Sequence, residues 1–112
     1  MSKSASALPP GKKVILRAEL IAASDEKAEE LSTILANIRK NALATEPGTL
    51  TYRTCRFERS FLVFEEYANV EAFKTHNNSE HVRALFKAEP ELLAKPADIN
   101  LYTEYANEEA KS

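Results

Sequence analysis

EPGTLTYRTCRFERSFLVFEEYANVEAFKTHNNSEHVRALF, residues 46 to 86, decides the fold. Pro47-Gly48 stops any preceding helix and supplies a turn. Thr49 to Phe57 then reads as a strand, Arg56 to Ser60 as a hairpin junction, and Phe61 to Tyr67 as the returning strand. Asn69 is placed to cap a short helix that runs through His76 and buries Ala72 and Phe73. Asn77-Asn78 breaks that helix. Ser79 caps a second one, with Val82, Leu85 and Phe86 on one face.

Working outward, Val14 to Ala22 forms a first strand. Val14, Leu16, Ala18 and Leu20 point one way, and Ile15, Arg17, Glu19 and Ile21 the other. Ser24 caps a helix to about Ala44, with Asp25 and Glu26 complementing its positive end. Ala28, Leu31, Leu35, Ile38 and Ala42 recur at helical spacing and define its buried face. After the second helix of the opening stretch, Pro90 and Pro96 bound an irregular linker, and Asp98 to Ala106 is the last strand. The order β-α-β-β-α-α-β is the split arrangement of ferredoxin-like α+β folds: an antiparallel sheet with helices on one face. A single domain over 13–107 is expected, with a flexible tail at 1–12 and a short polar tail at 108–112.

The first strand is apolar on both faces. So is the third, where Phe61, Val63 and Tyr67 oppose Leu62 and Phe64. A sheet with one wet face alternates more cleanly. One face meets the helices, and the chain holds no third layer for the other. A second copy of the same sheet is the economical cover, so a two-fold homodimer is expected.

The 112 residues are 44% hydrophobic and 29% charged, an ordinary globular balance. With 15 basic and 17 acidic residues the net charge is -2, which gives no basic surplus for nucleic acid. No apolar run is long enough to span a bilayer, so no membrane partner is expected. The start of the chain does not read as a signal peptide. The lone Cys55 fits a reducing, cytoplasmic setting and reads as a small buried strand residue. With only Gly11 and Gly48 there is no phosphate-cradling loop for a nucleotide or flavin, and no Gly-x-Ser-x-Gly elbow.

His76 and His81 are the only histidines, and histidine is the side chain best suited to moving protons near neutrality. They lie five apart across a helix break with no third ligand in view, so no metal is expected. Either could simply pack or cap a turn. Tyr52 and Tyr67 read first as packing, though their hydroxyls suit a phenolic or quinone oxygen. Arg17, Arg53 and Arg56 are strand cations able to hold an anion, with pairing to Glu19 or Glu65 as the plainer reading. Asn77 and Asn78 are explained by the turn they form.

Glu46-Pro47-Gly48, Leu50 and Tyr52, Glu65-Glu66-Tyr67, His76, and then Ser79 and His81 together resemble the antibiotic-biosynthesis monooxygenase (ABM) family. The resemblance spans roughly Val14 to Tyr105. It implies a dimeric α+β barrel and a cofactor-independent oxidation of an electron-rich phenol, quinol or anthrone by dioxygen. On that basis the expected catalytic set is His76, Tyr52 and Tyr67. The expected substrate contacts are Arg17, His81, Asn77, Phe73 and Phe86, with no cofactor. The haem-degrading relatives need a sheet Trp, an Asn and a helix His. This chain has no Trp: Tyr67 stands where related sequences carry Trp, and Phe86 where the haem-ligating His falls. A non-catalytic small-molecule-binding or structural dimer, and an isomerase acting on a small carbonyl compound, stay open as alternatives.

Overall fold

The computed structural model describes residues 8–104. Its elements run β1 (Val14–Ile21), α1 (Asp25–Thr45), β2 (Thr49–Phe57), β3 (Ser60–Tyr67), α2 (Val70–Asn77), α3 (Glu80–Leu92) and β4 (Asp98–Thr103). The four strands form one antiparallel sheet in the order β2-β3-β1-β4, a ferredoxin-like α+β fold. The two central strands are the most apolar, as expected of strands with neighbours on both sides.

Each helix starts where the sequence offers a cap. Ser24 Oγ accepts from the Lys27 amide, Asn69 Oδ1 from Ala72 and Ser79 Oγ from Val82. Each such cap contributes about 1 kcal/mol. The buried face of α1 is Ala28, Leu31, Leu35, Ile38 and Ala42, at the spacing read from sequence. It packs on the inner face of the sheet, where Val14, Leu16, Ala18 and Leu20 of β1 meet Phe61, Val63, Glu65 and Tyr67 of β3.

Among the described residues the opposite face carries no helix. Leu62, Phe64 and Tyr102 are exposed there, with Ile15 half-buried beside them. Arg17 lies among them, bound to Glu19 Oε1 at 2.9 Å and Asp98 Oδ2 at 3.1 Å. Cys55 is also on this face and exposed, not buried. The register pairs it with Leu62, whereas Tyr52 pairs with Glu65; three residues apart, the two side chains leave opposite sides of β2.

Two further expectations change. Pro90 does not open a linker; it sits inside α3, which continues to Leu92. A proline within a helix loses one backbone bond. Here the final turn is held from outside: the Ala23 amide donates to Leu92 O and the Ala94 amide to Ile21 O, with Leu92 and Leu93 buried. The first tail is also not wholly separate, because Leu8 packs against the core. β4 ends at Thr103; the remainder expected up to Ala106, and the tail at 108–112, lie outside the described residues except for Glu104.

The turn before β2 passes close against α2. A Cβ on Gly48 would lie 2.4 Å from Ala72 Cβ on α2. Neither atom can swing away, so Gly48→Ala should cost about 1–3 kcal/mol, measured as a lowered urea midpoint. Adding Ala72→Gly should recover part of that loss through a favourable coupling in the double-mutant cycle. Additive losses would show that the contact does not limit stability.

Candidate functional site

Alternation along β3 sends Phe61, Val63, Glu65 and Tyr67 to the inner face, so one carboxyl stands in a row of large apolar groups. Glu65 is 6% exposed and His76, delivered by α2, is 3% exposed. A buried charge is costly without partners, and the surroundings supply them. Tyr67 Oη donates to Glu65 Oε1 from the same face of the same strand. His76 Nδ1 meets Glu46 Oε1 at 2.8 Å, and its Nε2 stands 3.7 Å from Glu65 Oε1. Glu46, the C-terminal cap of α1, also accepts from Thr49 Oγ1 at 3.1 Å. The rings of Tyr52 and Tyr67 flank the imidazole at 5.6 and 5.3 Å between centroids. Among the described residues no buried side-chain nitrogen or oxygen lacks a partner.

The contact with Glu46 assigns the imidazole proton to Nδ1, which leaves Nε2 with a lone pair in the neutral ring. At 3.7 Å that lone pair is not engaged by Glu65. Burial pushes the Glu65 carboxyl up to about 7; the hydrogen bond from Tyr67 opposes this and the nearby Glu46 adds to it. Tyr52 and Tyr67 are both raised, by burial first and then by the carboxylates, so both keep their phenolic protons. The cluster therefore joins an oriented base to an acid poised near neutrality, the pairing that proton transfer requires.

A cavity of about 60 Å³ opens beside this cluster between α1, α3 and the sheet. Its floor is apolar, with Leu16, Leu35 and Val63 among the lining side chains, and Glu65, His76 and Tyr52 on its polar side. Of the residues singled out from sequence, Tyr52, Phe73, His76, Asn77 and Phe86 line it. Tyr67 stands behind Glu65, outside the lining. Arg17 does not join the site: it occupies the other face of the sheet, because the alternation that turns Leu16 and Ala18 inward turns Arg17 out. His81 is exposed in the first turn of α3 and does not line the cavity. Glu46 and Glu65 were not among the expected site residues. A carboxyl at the inward position between Val63 and Tyr67 is the signal that marks Glu65. Glu46 carries no local signal, since only the tertiary fold brings it to His76. Among the described residues, no group of three or more His, Cys, Asp and Glu side chains is arranged to hold a metal ion.

Raising a carboxyl from its ordinary 4.5 to about 7 ties stability to pH. A folded value above the unfolded one favours the fold fully below about 4.5, and this contribution is lost as pH climbs through about 7. Glu65→Gln keeps an acceptor for Tyr67 and removes the titration. Urea midpoints of the wild type should therefore fall across that window relative to those of Glu65→Gln. Parallel pH profiles for the two proteins would show that Glu65 does not titrate there.

Solved structures share this architecture. A candidate antibiotic biosynthesis monooxygenase of Caulobacter crescentus superposes with a TM-score of 0.77 at 24% identity, covering 86% of this chain and 92% of that one. Rv0793 of Mycobacterium tuberculosis gives 0.76 at 19% identity, covering 84% and 96%. At such identities the likeness is one of fold. An uncharacterized Synechocystis protein, sll1783, is 36% identical over 61 residues; the match spans 52% of this chain and 42% of that protein, under half its length. The family model for antibiotic biosynthesis monooxygenases matches residues 14–88, from the first residue of β1 into α3 and across the whole buried cluster, and the chain belongs to that family.

Proposed function

We propose that the protein is a monooxygenase in which an electron-rich phenol, quinol or anthrone is oxidised by dioxygen without an added cofactor. The buried Glu46–His76–Glu65 arrangement beside an apolar cavity is the observation that carries this reading. His76 Nε2 takes the proton of an acidic hydroxyl, and Glu46 stabilises the imidazolium that results. The substrate anion passes an electron to dioxygen, and carbon–oxygen bond formation follows. For an activated methylene, two C–H bonds are lost, one oxygen atom becomes the carbonyl and the other leaves as water. The four electrons come from the substrate. Glu65 is placed to return a proton to the departing oxygen. The apolar walls exclude bulk water, which strengthens each of these interactions.

Oxygen uptake with a panel of quinols and anthrones tests the reading. His76→Gln retains a donor for Glu46 but cannot accept a proton, so it should lower turnover about 10²-fold or more with an unchanged circular dichroism spectrum. Undiminished uptake would remove His76 from the mechanism. A wild type that binds these compounds but consumes no oxygen would replace the oxygenase reading with a binding protein.

The working assembly is proposed to be a homodimer closed through the outer sheet face. Support comes from the exposed Leu62, Phe64 and Tyr102 on a face that no helix covers. Two such faces packed together form a closed α+β barrel and should bury more than about 1,000 Å². Light scattering should give a dimer mass for the wild type and a monomer mass for the double variant Leu62→Glu, Phe64→Glu. Both side chains point away from the core, so the fold should persist. A monomeric wild type at micromolar concentration would overturn the assembly.

A further inference from the structure

Among the described residues the cavity wall contains no lysine or arginine, and its carboxyls are Glu65 in its depth and Glu89 on α3. Glu89 is half-buried and, among the described residues, makes no side-chain hydrogen bond or ion pair. Burial alone raises it. It stands three residues after Phe86, one helical turn away on the same face, and both line the cavity. Phe86 is 42% exposed, so this pair flanks the opening rather than the floor. A carboxyl held partly out of water without a counter-charge has unused acceptor capacity and repels like charge across low-dielectric walls.

We infer that Glu89 is a specificity residue that admits uncharged, hydroxyl-bearing single aromatic rings to the cavity and turns away rings carrying a carboxylate or phosphate. The inference rests on the proposed function only in placing the substrate in this cavity. Its size agrees: about 60 Å³ has room for a few waters, so a single ring that displaces them and moves Phe86 aside is better accommodated than a fused system. A hydroxyl of the ring can donate to Glu89, while the ring lies against Phe86 and Phe73. Asn77 adds a neutral polar group to the same wall and no positive charge. An anionic ring would meet Glu89 on entry, with no lysine or arginine among the described lining residues to offset it.

Gentisamide and gentisate have nearly the same shape and differ by one charge. Calorimetric titration of the full chain under nitrogen at neutral pH separates binding from any turnover. Gentisamide should bind at least 10-fold more tightly, roughly the effect of one like-charge pair across such a wall. Glu89→Gln should bring the two affinities within about threefold, and Glu89→Lys should reverse their order. Equal affinities in the wild type, an unchanged ratio in Glu89→Gln, or no binding of either ring would overturn the inference. The charge preference without oxygen uptake by any quinol would sink the oxygenase reading alone. Equal oxygen uptake with neutral and carboxylated quinols would sink the charge gate alone.

Discussion

One carboxyl buried in an apolar layer organises this molecule. Glu65 projects from β3 into the space between sheet and helices, where an unpartnered carboxylate would cost several kcal/mol. Its partners arrive from different parts of the chain. Tyr67, two residues on in the same strand, supplies the hydrogen bond, and His76 of α2, held by Glu46 at the end of α1, stands 3.7 Å away. The demand explains why the turn at Gly48 passes so near Ala72. A Cβ at that turn would lie 2.4 Å from Ala72 Cβ on α2, the helix that carries His76, so something there would have to shift. Two contacts share this region: the hydroxyl of Tyr67 satisfies Glu65, and the carboxylate of Glu46 orients the imidazole beside it.

The two faces of the sheet are specialised differently. The inner face places its buried carboxyl, Glu65, in a compact polar cluster with Tyr67 and His76 and is otherwise largely apolar. The outer face sets apolar side chains among ion pairs, with Arg17 bridging Glu19 and Asp98 across β1 and β4. Surface pairs of this kind contribute little to stability. They do fix the position of Arg17, and they keep a positive charge on the side of the sheet away from the cavity. The acidic character of the cavity is thus a property of strand parity: a shift of one residue in β1 would carry Arg17 inward and Leu16 out.

Much of this was legible in the chain because it is periodic. The face of α1, the alternation in β1 and β3, and the three helix caps follow from spacing and from Ser24, Asn69 and Ser79. The fold class follows from their order. What escaped depends on contacts between distant segments. Pro90 reads locally as a breaker, whereas its turn is held by the Leu93 amide on Glu89 O and by the bonds of Ala23 and Ala94 to distant segments. Arg17 has apolar neighbours on both faces, so its sequence surroundings do not say which face meets the helices. Cys55 reads as a buried strand residue, but which face of β2 is covered is set by pairing with β3, and that pairing puts it opposite Leu62 on the exposed side. Glu46 lies thirty residues before His76 and touches it only because a helix end and a second helix converge.

Pro90 also has a consequence for the order in which structure is acquired. Without an amide hydrogen at that position, the last turn of α3 lacks one rung of its own ladder. It is completed by the end of β1, some seventy residues earlier in the chain. Closing so long a loop is slow compared with winding a helix. The first turns of α3 can therefore form on local information, while Leu92 and Leu93 must wait for the central strand. Opening motions should divide the same way, with the end of this helix parting from the protein only when the sheet does. A residue usually taken as a helix terminator here sits in a helix whose end is bonded to a central strand.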